Sequence, residues 1–398
     1  MNNGASPLHC AAIRGSLKVM ELLMAHQADP NARTNDGHTP LHCAIERNKP
    51  DAVSFLIARG ADIEARSSQF PSRPLILAAC LNHLECVKIL LDNEASINTF
   101  EKEDAETPLP NEGFHSDVSS NFDGDSCAGF TPLLAASYTG HLEVVKLLIE
   151  RGADVNQIHA TENSGALHWA AMHNQEEVIK CLLHHGAYIN LLNGMRMTPF
   201  HYCILVGSKV ETLKLLLSHG ARIDNDWDGV GMFWLACARG HINIVRWILE
   251  IGMSTETPIE DMVLKCEKHN GHAAIAEMLI ARGLGPNEPG NSGAAPIFPC
   301  IEHGRLDLLE VLVKRRADLN ILNKEGNVPL TVAAMAGNVD IISFLLKHGA
   351  NLLLSQTNLV VKVVATSGDA GLLGHLAEQG LSDMIAEVSI TCTSSAEP

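Results

Sequence analysis

Twenty histidines and eleven cysteines stand in a chain of 398 residues, enough for several metal sites or for a nucleophile with its base. Imidazole and thiolate are common zinc ligands, and imidazole is the side chain whose ordinary titration falls near neutral pH. Their spacing points elsewhere. His9, His42, His168 and His201 all occupy the fourth position of one recurring box, so their separation follows a repeat and not the geometry of a ligand shell. His184 and His185 end a stretch of helical period just before Gly186, where a donor suits the last carbonyls of a helix. No Cys-x-x-Cys, His-Glu-x-x-His, or His-x-Glu followed by Pro-Cys-x-x-Cys occurs. The cysteines follow the box too: Cys10 and Cys43 come after its histidine, Cys203, Cys237 and Cys300 sit among its small residues, and Cys181 takes an apolar place further on. They are expected to be small buried hydrophobes in a reducing compartment.

Two further stretches imitate ligand sites. Residues 284–296, LGPNEPGNSGAAP, are rich in glycine but lack Gly-Lys-Ser/Thr and a preceding hydrophobic strand, so they read as a lengthened connection. Asp117, Asn121, Asp123 and Asp125 fit no register of a calcium loop, and no glutamate closes it. Neither a metal nor a cofactor is expected. The formal net charge of −17, with no basic run longer than Lys314-Arg315-Arg316, makes nucleic acid and anionic membranes poor partners. No signal peptide precedes the first box, no apolar run is long enough to insert in a membrane, and no Asn-x-Ser/Thr sequon occurs. The expected location is the cytoplasm, with the nucleus as the alternative.

The elements that carry these residues follow from the box itself. Its copies are SPLHCAA from Ser6, TPLHCAI from Thr39, RPLILAA from Arg73, TPLLAAS from Thr131, GALHWAA from Gly165, TPFHYCI from Thr198, GMFWLAC from Gly231, APIFPCI from Ala295 and VPLTVAA from Val328. The intervals between these starts are 33, 34, 58, 34, 33, 33, 64 and 33 residues. The 64 spans a worn unit that keeps Asn270-Gly271-His272 and the apolar run after it, and the 58 needs an insertion. With a closing unit from Leu359, eleven units result, and a fixed period of this length means a solenoid.

One unit has a physical reading. Thr39 can cap a first helix with its hydroxyl, and Pro40 suits the first helical position. Small pairs such as Ala78-Ala79 and Ala170-Ala171 let neighbouring helices approach, and a glycine such as Gly140 stops the helix. A second helix carries Leu142, Val145, Leu148 and Ile149 on one side and Glu143, Lys146 and Glu150 on the other. Such a pair cannot bury its stripe alone, so stability comes from neighbour on neighbour.

The box, together with GHLEVVKLLIERGADVN from Gly140 and its counterparts from Leu84, Gly240 and Gly337, resembles the ankyrin-repeat family over nearly the whole chain. The resemblance implies an all-α ankyrin-repeat solenoid of about eleven stacked helix-turn-helix repeats with extended finger loops. Repeats one to three fall in 1–98, an acidic insertion in 99–127, repeats four to eleven in 128–380 with a worn unit at 262–287 and a capping unit at 359–380, and a tail in 381–398. In that family the box histidines tie adjacent units, while the finger tips and the two residues after the small pair line a concave recognition face. Carried over, these places hold His38, Phe130, Met197, Trp227 and Val230 on fingers, and Arg14, Glu46, Arg47, Tyr138, His173, Arg239, Glu302 and His303 on first helices. Aromatic and arginine side chains are enriched in binding hot spots, and Trp227 between Asp226 and Asp228 is the leading candidate. Its alternative is packing against the neighbouring finger, which is the reading adopted for Trp169 and Tyr202.

The insertion carries eight acidic residues against Lys102 alone, a net of −7. Such composition predicts disorder, either as a tolerated surface loop or as a docking segment phosphorylated at Thr107, Ser116, Ser119 or Ser120. The function expected is a non-enzymatic scaffold or adaptor, monomeric, that binds one or more proteins through the concave face. The alternative is a recognition array belonging to a larger regulatory protein. An enzyme with the array attached is the remaining rival, but outside the repeats this sequence has too little chain for a catalytic core.

Overall fold

The computed structural model describes residues 4–67, 73–99, 129–160, 162–223, 231–252, 272–282, 285–289 and 294–386. They form paired helices, and the strand-like pairing among the described residues is an isolated antiparallel bridge between Ile158 and Gly165. Contacts group the chain into two compact units, Met1–Trp227 and Asp228–Pro398.

Among the described residues the first unit holds six helix pairs. They are α1 Pro7–Arg14 with α2 Leu17–Ala25, α3 Pro40–Glu46 with α4 Pro50–Ala58, α5 Pro74–Cys80 with α6 Leu84–Asp92, α7 Pro132–Thr139 with α8 Leu142–Glu150, α9 Ala166–Met172 with α10 Glu176–His184, and α11 Pro199–Leu205 with α12 Val210–Ser218. Each first helix packs on the next first helix, from α1 through to α11. The leucine of the box is buried in every copy that has one here: Leu8, Leu41, Leu75, Leu133 and Leu167. Each such burial stabilises the stack by about 2 kcal/mol. The turn after the first helix needs a left-handed residue, supplied by Gly15 and Gly140 or by Asn48, Asn82 and Asn174.

The second unit runs α13 Met232–Ala238, α14 Ile242–Glu250, α15 His272–Ala281, α16 Ile297–Glu302, α17 Leu306–Lys314, α18 Pro329–Met335, α19 Val339–Lys347, α20 Thr357–Ser367 and α21 Ala370–Leu376. The worn unit is described through α15 and residues 285–289, while the first half of it, like the insertion after residue 99, lies outside the described residues. At the end of the chain helical structure continues to residue 386, beyond the boundary of 380 that the repeat pattern predicts.

A ladder of asparagines fastens the fingers. Asn31 donates its amide to the Gly60 carbonyl at 3.1 Å and accepts the Asp62 N–H at 2.7 Å. Asn156 repeats both bonds with Gly186 and Tyr188, and Asn190 repeats them with Gly220 and Arg222. In the second unit Asn287 accepts from Asp318 and Asn320 from Asn351, each at 2.8 Å. Glu64 stands in for asparagine once, accepting the Ser96 N–H at 2.7 Å and pairing with Arg73.

The ladder crosses the insertion unbroken. Asn98 accepts the Asp154 N–H at 2.8 Å across 56 residues, where neighbouring rungs span 31 or 32. Gln157 adds a bond to the Asn98 carbonyl at 2.7 Å, Arg151 pairs with Asp92, and α5 packs directly on α7. Removing residues 99–126 while restoring a spacing of 33 between Arg73 and Thr131 should therefore leave one cooperative thermal transition at nearly the original temperature. Calorimetry checks it, and a collapsed or split transition would show that the inserted residues hold the stack together.

Candidate partner-binding surface

Two of the box histidines, His9 and His168, each join a helix start to the next finger by two bonds. His9 Nδ1 accepts the Ser6 N–H at 3.1 Å, and its Nε2 meets the His38 carbonyl, one repeat on, at 2.9 Å. His168 does the same with the Gly165 N–H at 3.1 Å and the Met197 carbonyl at 3.0 Å. An Nδ1 that accepts from an amide must be unprotonated, so the proton sits on Nε2 and the ring is neutral. Burial enforces this, lowering His9 from its ordinary value and His168 to about 4.

The imidazole shares the cap with the box hydroxyl in a reciprocal capping box at Thr39 and Thr198. Thr39 Oγ1 lies 2.9 Å from His42 Nδ1, and Thr198 Oγ1 lies 2.7 Å from His201 Nδ1. Where leucine fills the histidine place the hydroxyl caps the helix without a ring, Thr131 accepting the Leu134 N–H at 3.2 Å. His83 and His141 bond carbonyls at the end of the preceding first helix, and His185 closes its own helix by bonding the Cys181 carbonyl at 2.8 Å.

Three cysteines are held as thiols by their surroundings. Burial pushes Cys43 and Cys86 up to about 11 and Cys203 to about 12. Cys10 departs from the expected burial, because no helix pair among the described residues lies before α1 to cover it. Among the described residues no group of three metal-ligating side chains converges.

The residues predicted for recognition separate into three groups. Phe130 and Met197 do not lie on an exposed finger tip: they are 1 % and 0 % exposed. The Met197 carbonyl is held by His168 of the previous repeat, and the Phe130 ring sits 4.9 Å from Trp169, so both side chains fill the seam between first helices. His38 is half-buried, its carbonyl accepts from His9, and its ring stacks on His42 at 5.6 Å. Trp227 and Val230 lie outside the described residues, and Arg239 is half-buried at the end of α13 in the second unit.

Tyr138, His173 and Arg47 remain. Tyr138 and His173 are half-buried at the ends of α7 and α9, their rings 4.1 Å apart, and Tyr138 also leans on Phe130 and Trp169. Burial lowers His173 from its ordinary value, so the pair is neutral at neutral pH, and its buried Nε2 makes no hydrogen bond. Arg47 is exposed at the end of α3. The same two positions in neighbouring repeats hold Leu81, Met172, Leu205 and Val206, all half-buried or exposed. The repeat period places these four there, but aliphatic types carry no recognition signal of their own in sequence. Together they make an apolar stripe with an aromatic centre, charged at the end marked by Glu46 and Arg47. On the second helices a cavity of about 470 Å³ between α8 and α10 is lined by charged residues that pair locally, Lys146 with Glu143 and Lys180 with Glu176 and Glu177.

Comparison with known proteins settles the family. A model of ankyrin repeats in three copies matches residues 1–67, 66–159, 112–193, 167–258 and 263–356. The chain belongs to the ankyrin-repeat family. Cyclin-dependent kinase 4 inhibitor B of Rattus norvegicus is 32 % identical over 119 residues, 28 % of this chain and 86 % of that protein. A Danio rerio protein named as a palmitoyltransferase, ZDHHC13, is 28 % identical over 63 % of this chain, which spans 33 % of its length. The crystal structure of the human ASB11 ankyrin repeat domain superposes with a TM-score of 0.50 at 21 % identity, covering 63 % of this chain and 99 % of that one. No helix among the described residues is long and apolar enough to cross a membrane.

The box geometry makes stability depend on pH with a definite sign. His168 binds its proton less readily folded than unfolded, so its contribution is complete above 6.5 and is lost as pH falls toward about 4. The full shift corresponds to about 3 kcal/mol. A His168→Gln variant, which keeps an acceptor and a donor, should be less stable at neutral pH but lose less between pH 6.5 and 4. Urea unfolding across that range checks it, and parallel curves would refute the assignment.

Proposed function

We propose that this chain is a non-enzymatic scaffold or adaptor that binds partner proteins through the first-helix stripe of its first unit, with Tyr138 and His173 at the centre. The observation that carries this reading is the contact of those two rings at 4.1 Å, half-open to solvent at the ends of adjacent first helices. The box histidines and the asparagine ladder join the repeats, and the half-open large side chains here have the composition of a recognition surface. The names of the relatives point to a kinase inhibitor and to a palmitoyltransferase, and what these proteins share with the chain is the array. No reaction is assigned to the array itself.

A second reading makes the array the recognition part of a larger regulatory polypeptide, favoured by the match that takes up only a third of ZDHHC13. Both readings place the partner on the same stripe.

Replacing Tyr138 and His173 by alanine should reduce capture of bound proteins at least about thirtyfold, since aromatic hot spots cost about 2 kcal/mol or more on truncation. Alanine at Glu143 and Lys146 on α8 should change nothing. Quantitative mass spectrometry of proteins retained by each variant, at matched melting temperature, measures it. Capture that followed the α8 pair would move the site to the other face.

A further inference from the structure

The first repeat differs from the others in how its helices are covered. The third residue of the second helix is 1 % exposed or less at Ala52, Cys86, Val144, Val178 and Thr212, but the same place in α2 holds Val19, 47 % exposed. Three residues on, along the same side of the helix, Phe55, Ile89, Leu147, Cys181 and Leu215 are half-buried, whereas Leu22 is 60 % exposed. On the first helices Cys43, Leu77, Ala135, Trp169 and Tyr202 are buried, and Cys10 at their position is exposed.

In later repeats these three places meet the repeat before. Trp169 packs on Phe130 and Tyr138, with ring centroids 4.9 Å and 5.7 Å away. Cys86 Sγ lies 3.7 Å from Asn48 Oδ1, and Cys181 lines the cavity that Lys146 and Glu150 of α8 border. Because the helix pair recurs with the same geometry, Cys10, Val19 and Leu22 share one face of the first repeat. It is the face that the stack buries everywhere else, and among the described residues nothing lies against it. Apolar surface at the end of a solenoid calls for a cover.

We propose that this face is a self-association surface on which a second copy of the chain sets the same face, giving a two-fold dimer in place of the monomer expected from sequence. The last described repeat argues against head-to-tail stacking. Its helices α20 and α21 leave no large apolar side chain exposed among the described residues, while Lys362, Thr366 and Gly374 are open to water. That is the polar outer side of a closing repeat, with nothing apolar to lay on another copy's first repeat. Two first faces match each other, and a self-matched contact closes at two copies. Charge does not oppose it, because residues 1–38 hold Arg14, Lys18 and Arg33 against Glu21, Asp29 and Asp36, three and three, so the net −17 is carried elsewhere. Helices of 8 and 9 residues offer on the order of a few hundred Å² of face, against roughly 800 Å² per partner in a tight complex, which makes the dimer weak and concentration-dependent. The contact uses no residue of the Tyr138 and His173 stripe.

Sedimentation velocity of the full chain over a rising concentration series tests the proposal. The chain should pass from one copy to two and stop there. Val19→Glu with Leu22→Glu, both at exposed positions, should weaken pairing at least about tenfold at unchanged melting temperature, since like charges would then face each other across the contact. Leu22→Lys replaces that variant if the melting temperature moves. Met335→Glu, at an exposed position of the second unit, is the control and should change nothing. Because both copies use the same face, a fluorescently labelled glutamate variant should also fail to pair with the unmodified chain. A chain that stays single at several hundred micromolar overturns the proposal, and so does growth past two copies. Pairing that survives in the glutamate variant, or between it and the unmodified chain, would place the contact on another surface and overturn it as well.

Discussion

A neutral imidazole bridging the start of one helix and the carbonyl of the next finger is the contact on which the first unit depends. It needs Nδ1 free for the amide of Ser6 or Gly165 and a proton on Nε2 for the carbonyl of His38 or Met197. One ring thus satisfies two backbone groups that would otherwise be buried without partners, each at a penalty of about 1–3 kcal/mol. Because the bridge spans 29 residues, it fixes the period as well as the cap. It also withdraws the histidines from metal binding and from proton transfer at neutral pH, since the nitrogen a ligand would need is already an acceptor.

The asparagine ladder performs the matching task on the other side of each finger. Its rung at Asn98 has the same geometry as its neighbours although 56 residues separate the partners, so the stack takes no account of what is inserted between rungs. Solenoid stability is a sum of unit and nearest-neighbour terms, and a loop that leaves both unchanged costs little beyond its closure entropy. The seam and the recognition surfaces are consequently built from different positions. Bridges, rungs and small pairs are repeated in kind, whereas the residues after the small pair and the finger edges vary from repeat to repeat.

That division explains how much of the molecule was legible in its sequence. The period, the helix pairs, the small seam residues and the burial of Trp169 and Tyr202 follow from local pattern, because each is dictated by neighbours at a fixed offset. Phe130 and Met197 were misplaced because a large residue ahead of the box looks solvent-facing in sequence, while the structure turns it into the seam. The hydroxyl of Thr39 is readable as a cap, whereas the reciprocal part of the imidazole three residues on shows only in the structure.

The tautomer of the box histidines tests the account most directly. Nitrogen-15 NMR of the imidazole rings at neutral pH should find His9 and His168 neutral, protonated at Nε2 and unprotonated at Nδ1, and His168 should hold that state down to a pH near 4. A proton on Nδ1, or rings that become charged near 6.5, would contradict it, because the amide of Ser6 or Gly165 would then face a second donor and the link between repeats would have to be made by something else.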